Sequence, residues 1–158
     1  MSESPRVTLR PVEWVDIDRM FAFQNDDDAC ATAAVYRKSH DVFCEHWRKI
    51  LSNPLNTARV IVRDQRVIGQ INCFPYQGHF SIGYWISRSH WGQGYATEAV
   101  AIFLNEIAER PLIATVAEHN PASVRVLEKN GFVVKRRYEC SADANYPAAK
   151  LIELWLRR

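Results

Sequence analysis

The chain has 158 residues, 47% hydrophobic and 24% charged, which suits one compact domain with its own apolar core and excludes a disordered or fibrous chain. Its 20 Lys and Arg against 18 Asp and Glu leave a net charge of +2, too little to hold nucleic acid nonspecifically. Ser2, Glu3, Ser4 and Pro5 stand where a signal peptide would carry basic and apolar residues, and charge interrupts every apolar run well short of the roughly 20 residues of a membrane helix. A cytoplasmic protein is expected, with neither membrane nor nucleic acid as partner. Cys30, Cys44, Cys73 and Cys140 form no CxxC pair, which suits reduced thiols.

In chain order the periodicity predicts a strand over Val7 to Val12 and a helix from about Trp14 to Phe23, with Ile17, Met20 and Phe21 on one side. The acidic run Asp26 to Asp28 ends that helix, and a long polar loop follows. Ser39 is placed to cap a second helix reaching about Leu51, with Phe43, Trp47, Ile50 and Leu51 as its buried stripe. Residues 58–63 and 67–74 read as a hairpin turning at Asp64, Gln65 and Arg66, and Phe80 to Ser87 extends the meander. From Tyr95 the period is helical, through Ala96, Ala99, Val100, Phe103, Leu104 and Ile107, until Pro111 stops it. Leu112 to Ala117 is a buried strand. A further helix has Asn120 as cap, Pro121 at its first position and Gly131 just past its end. Two strands close the chain, Phe132 to Glu139 and Lys150 to Arg157. In the last, Ile152, Leu154 and Leu156 face one way and Glu153 and Arg157 the other.

The chemical signal is the passage from strand to helix through Trp91, Gly92, Gln93 and Gly94. A glycine turn exposes backbone N–H groups at a helix N-terminus, where the dipole also favours negative charge, and a β-carbon would obstruct the approach of phosphate oxygens. Amides around Gly92 to Ala96 converging on a diphosphate are therefore the central expectation.

The run from Gly83 to Ala99, GYWISRSHWGQGYATEA, resembles the coenzyme A-binding motif of the GNAT superfamily of N-acetyltransferases, in the variant typical of the ribosomal-protein-alanine acetyltransferase (RimJ/RimL-like) branch. NPASVRVLEKNGF, from Asn120 to Phe132, resembles the next motif of that branch. One departure is Ser89, where the usual turn has Gln or Arg, so that Arg88 is the nearest cation. The resemblance implies an α/β (α+β) fold over residues 1–158. A mostly antiparallel mixed sheet of about seven strands would be flanked by about four helices, with two splayed parallel central strands, Phe80 to Ser87 and Leu112 to Ala117.

It also implies acetyl-CoA as acyl donor, an amine acceptor (a protein N-terminus or a small molecule), and a monomer or homodimer without metal. Tyr84, Trp85, Ile86, Arg88, Trp91, Gly92, Gln93, Gly94, Tyr95, Ala96, Thr97, Asn120 and Ser123 would bind the donor. Many superfamily members place a Tyr acid seven residues after the Asn of the second motif, but Leu127 stands there. In the RimL-like branch a Ser three residues after that Asn lies near the coenzyme sulfur. Ser123 holds this place and is the candidate donor to the departing thiolate.

Acyl transfer to an amine also needs a neutral amine and a donor to the oxyanion, which a backbone N–H between Tyr84 and Ile86 would supply. His79, Glu118 and His119 lie near the strand ends and are candidate bases, although solvated loop positions explain them as well. Asp26 to Asp28 are either an amine lure or a hydrated loop. His40, Cys44 and His46 give no three ligands on one face for a metal. Lys135 to Arg137 alternate between strand faces, and Arg125 and Lys129 either approach the coenzyme phosphates or cover the helix. A nicotinamide or flavin enzyme would need a third glycine where Thr97 stands, and a parallel sheet the chain is too short to build. A coenzyme-binding or interaction module of the same fold without turnover is the other alternative.

Overall fold

The computed structural model describes residues 4–158, so the first three positions of the N-terminal stretch read above for an export signal lie outside the described residues. Strand β1 (Thr8–Pro11) and a 3-10 turn (Trp14–Asp16) lead into helix α1 (Ile17–Gln24). Asp16 anchors this entry. Its buried carboxylate takes two bonds from Arg10, at 2.8 and 2.9 Å, and one from the Glu13 N–H.

The region read as a long polar loop contains helix α2 (Asp27–Ala33). The acidic run that closes α1 also opens α2: Asp26 accepts from the Ala29 N–H at 3.0 Å as N-cap, and Asp27 and Asp28 occupy the first turn, where the helix dipole favours negative charge. Ala34, at φ 57°, ends it in the left-handed region. Helix α3 (His40–Ser52) is capped by Ser39, as its sequence predicts. Phe43 and Trp47 are buried and Ile50 half-buried, but Leu51 is exposed, since a stripe set by the first three turns away at the next residue.

Strands β2 (Thr57–Arg63), β3 (Arg66–Tyr76) and β4 (His79–Ile86) form the expected meander. Both hairpins turn through two residues of positive φ, Asp64 and Gln65 in the first and Gln77 and Gly78 in the second, which matches the right-handed twist of the strands they join. A 3-10 turn (Arg88–His90) and the glycine turn lead to α4 (Tyr95–Glu106). There follow β5 (Leu112–Ala117), α5 (Pro121–Lys129), β6 (Val133–Cys140) and β7 (Ala149–Leu156).

The seven strands form one mixed sheet in the order β1-β2-β3-β4-β5-β7-β6, with five helices where about four were expected. All neighbours are antiparallel except β4 and β5, which run parallel. Alternation along the strands gives the sheet two apolar faces. Ile61, Ile71 and Leu154 share a cluster with Phe103 of α4 and Leu127 of α5, whereas Val60 joins Ile17 and Met20 of α1 and Phe43 and Trp47 of α3. Helices therefore cover both sides. β7 lies inside the sheet, and this changes the reading of Glu153: it is 8% exposed, held by Arg136 at 2.8 Å and the Trp155 indole at 2.6 Å. Among the described residues no helix is long and apolar enough to cross a membrane.

Candidate active site

β4 and β5 pair at only two positions, Phe80 with Leu112 and Ser81 with Ile113. There the buried Ser81 hydroxyl donates to the Ile113 carbonyl at 2.8 Å. Beyond this point the strands part. Two cavities adjoin the gap, one of about 470 Å³ between α4, α5 and β4, the other of about 660 Å³ between β3, β4, α1, α3 and the Cys140 to Ala149 loop. Tyr84 and Trp85 line both.

At one end of the smaller cavity lies the start of α4. Asp26, Ser39 and Asn120 cap α2, α3 and α5 through side-chain oxygens, but the residue in that position on α4 is Gly94, and no side chain accepts from its first turn. The N–H groups of this first turn have no intrahelical acceptor and border a cavity. Gly92 and Gly94 have φ of 73° and 84°, and a β-carbon on Gly92 would meet no atom within 4 Å. The space in front of Gly92 is therefore open to a ligand. From behind, Arg6 donates to the Gln93 carbonyl at 2.9 Å and to Glu98 at 3.1 Å, and Glu98 accepts the Val7 N–H at 2.9 Å, which fixes the turn to the start of β1. Arg125 and Lys129, one turn apart on α5, bring two cations into the lining. An open Gly92, uncapped amides and the cations of Arg125 and Lys129 suit the diphosphate of a coenzyme A molecule.

Farther along the same cavity the Tyr84 hydroxyl lies 2.6 Å from Ser123 Oγ and 3.3 Å from the Ser123 carbonyl. Asn120 caps α5 by accepting the Ser123 N–H at 3.4 Å, which sets the position of that hydroxyl. Burial pushes the Tyr84 phenol up to about 12, with the Ser123 hydrogen bond opposing it, so Tyr84 is a neutral donor. When Tyr84 donates to Ser123 Oγ, the serine hydrogen is free for another acceptor.

Of the residues named from sequence, Tyr84, Trp85, Ile86, Trp91, Gly92, Gly94, Tyr95, Ala96, Thr97, Asn120 and Ser123 line this cavity. Arg88 and Gln93 do not. Arg88 faces α2, with Nε 3.2 Å from Asp26 and a second contact to Asp28, while the Gln93 side chain turns back to the Ser89 carbonyl at 3.5 Å. The acidic run carries these ion pairs, with Asp27 paired to Arg37 at 2.9 Å, and lines neither cavity. His79, Glu118 and His119 line neither cavity. His79 meets Trp155 edge to face, Glu118 lies 4.0 Å from Arg137, and His119 Nε2 donates to the Ala31 carbonyl at 2.8 Å. The imidazole in the larger cavity is His46, pushed below its ordinary value first by desolvation and then by Lys38 and Lys49. His40 contacts Asp18 at 2.7 Å, and among the described residues no group of three His, Cys, Asp or Glu could hold a metal ion.

Sequence reasoning missed three parts of this site. Ala29, Thr32 and Ala33 come from the unforeseen α2, the pairing of the Tyr84 phenol with Ser123 is written in neither motif, and His46, read from sequence only beside His40 and Cys44 as a metal candidate, lines the larger cavity. For Tyr84 a signal existed in its place on β4, facing the Asn120 to Ser123 segment.

Residues 6–133 match the model of the acetyltransferase (GNAT) domain. An uncharacterised protein of Bacillus subtilis (strain 168), YkkB, is 30% identical over 139 residues, 80% of this chain and 81% of its own. A ribosomal-protein-serine acetyltransferase of Escherichia coli (strain K12) is 29% identical over 83 residues, 48% of this chain and 46% of its own. Among solved structures, a spermidine N-acetyltransferase of Vibrio cholerae in complex with CoA and spermine superposes with a TM-score of 0.83 at 19% identity, covering 98% of this chain and 96% of its own.

Proposed function

Because the chain belongs to the acetyltransferase (GNAT) family, and is therefore an acyltransferase drawing on acetyl-CoA, we propose that it acetylates a primary amine by direct transfer within a ternary complex. The observation that carries this reading is the pair of cavities meeting at Tyr84 and Trp85, one bordered by uncapped amides and cations, the other free to receive an acceptor. Two substrates in adjoining sites need no covalent enzyme intermediate.

The residues that would hold the donor are Gly92, Gly94, Tyr95, Ala96 and Thr97 through backbone amides, with Arg125 and Lys129 on the phosphates. Acetyl-CoA supplies an activated acyl group and a thiol leaving group. The chain supplies orientation and proton management. Ser123 Oγ, backed by the neutral Tyr84 hydroxyl, donates a hydrogen bond to the departing sulfur. A backbone N–H of β4 between Tyr84 and Ile86 meets the charge that develops on the acyl oxygen. The amine loses its proton to water or to His46 in the larger cavity.

The RimJ/RimL-like branch is supported by the two motifs and by the E. coli relative, whose name points to a serine of a ribosomal protein. The spermine bound to the V. cholerae protein points instead to a small amine. Incubation with acetyl-CoA and a mixed library of amines and N-terminal peptides, read by mass spectrometry, is expected to yield an N-acetyl product. Binding of coenzyme A with no amine acetylated would overturn the proposal.

A further inference from the structure

The glycine turn is short of a cation. Ser89 stands where the usual turn has Gln or Arg, and Arg88 is turned toward Asp26 and Asp28 of α2. The next residue, His90, lines the donor cavity together with Trp91 and Gly92. Its imidazole is held in place: Nδ1 lies 3.0 Å from Ser89 Oγ, which lies 3.3 Å from Ser87 Oγ, and the ring centre is 6.2 Å from that of Tyr95. The backbone is fixed as well, since the His90 N–H donates to the Ser87 carbonyl and the Trp91 indole to the Ile86 carbonyl, both at 2.8 Å. With Nδ1 engaged, Nε2 is the ring nitrogen left for a ligand.

The charges around this ring suit an anion. No carboxylate of the described residues lines the cavity, while Arg125 and Lys129 of α5 do. Arg6, near the start of the chain, and Arg63 of β2 lie 4.9 and 4.7 Å over the Tyr95 ring. The carboxylates of the surrounding elements are committed to other cations, Glu98 to Arg6 and Asp26 and Asp28 to Arg88. The imidazole of His119 is held by Ala31, which does not line the cavity. Imidazole is the kind of side chain that changes charge between about pH 5 and 8. A diphosphate placed beside Nε2 stabilises the imidazolium over the neutral ring.

Resting on the reading of this cavity as the donor site, we propose that His90 is the phosphate-binding cation of the glycine turn and takes up a proton from solvent as the coenzyme binds. In the imidazolium both nitrogens donate, Nδ1–H to Ser89 Oγ and Nε2–H to a diphosphate oxygen. Ser89 is thereby a positioning residue: it supplies no cation itself and orients the one that follows. Donor affinity then rises as pH falls. Acetyl-CoA and free coenzyme A share the effect, because both carry the same diphosphate.

The test is calorimetry with coenzyme A and with dephospho-coenzyme A, which keeps the diphosphate but lacks the ribose phosphate, a monoester that itself titrates at about pH 6. Titrations at pH 7 in PIPES and in Tris, buffers of unlike ionisation enthalpy, count the protons bound with the ligand. With dephospho-coenzyme A, wild type is expected to take up a substantial fraction of a proton and to bind about three- to tenfold more tightly at pH 6 than at pH 8. His90→Asn should abolish the uptake and flatten the profile. His90→Lys, with a charge that persists across this range, should bind alike at both ends, and the wild-type measurement stands even if a variant fails to fold. Binding without proton uptake, or an uptake unchanged in His90→Asn, overturns the role of His90 and leaves the donor site intact. Loss of binding when the ribose phosphate alone is removed overturns it too, by placing the anion contacts away from the turn. If neither ligand binds, the donor-site reading falls and takes this one with it.

Discussion

At Gly92 the chain is in the left-handed region with empty space where a side chain would begin. The two facts separate folding from binding. Gly92→Ala carries a backbone cost of roughly 1–2 kcal/mol and should lower Tm by only a few degrees, while its methyl group enters the approach path of the phosphates. Calorimetry is expected to show coenzyme A affinity falling about tenfold or more, and an unchanged affinity would move the anion site elsewhere. At Ser123 the expectation is kinetic. Ser123→Ala should lower kcat roughly a hundredfold with coenzyme A affinity nearly constant. Because burial pushes the Tyr84 phenol to about 12, its proton stays in place at ordinary alkaline pH, so kcat/KM should rise as the amine is deprotonated and show no fall by about pH 10. A downturn near pH 9 that disappears in Tyr84→Phe would contradict this. Of these residues the glycines and Ser123 were legible in sequence because a motif fixes them. The bond between the Tyr84 phenol and Ser123 was not, since it depends on which element lies beside β4.

Among the elements, α2 is short and bridges the open end of the sheet. It is tied on the β4 side by Arg88 through Asp26 and Asp28 and on the β5 side by His119 through the Ala31 carbonyl, and it contributes Ala29, Thr32 and Ala33 to the donor cavity. A helix of seven residues has little stability of its own, so these ties and its cap hold it. Arg88→Ala is expected to weaken coenzyme A binding about three- to tenfold and to speed amide hydrogen exchange across residues 27–33, with little change in Tm, because the ion pairs lost are half-exposed. Unaltered exchange there would show that the ties are idle. The sequence hid this element because Asp26 to Asp28 serve as a stop for one helix and a start for the next, and two helical turns leave almost no periodicity. Helices α4 and α5 were read to within a few residues, their long stripes and punctuation being unambiguous.

For the whole molecule, stability toward acid is set in part by Asp16. The Arg10 guanidinium, with the Glu13 N–H, holds its carboxyl below the ordinary carboxylate range despite burial. A depressed folded-state value means that the contribution is complete above the unfolded value of about 4 and is lost as pH falls through the folded one. Asp16→Asn should therefore be less stable than wild type at pH 7, and the gap between them should narrow steadily below about pH 4 in chemical denaturation. A gap independent of pH would assign the loss to packing alone. That the sheet has seven strands with a parallel pair at its centre followed from the order of periods and from the resemblance together. The burial of Glu153 did not, because alternation along a strand tells which residues share a side but not whether the other side is covered.

The splay of β4 from β5 has a mechanical consequence. Strands β1 to β4 and the group β5, β7 and β6 are two ladders joined by two residue pairs and the single Ser81 to Ile113 bond. Past that joint no strand pairing spans the two ladders, and what bridges them at the mouth is the bond between the Tyr84 and Ser123 hydroxyls, so the opening is held by side chains where a closed sheet would use backbone.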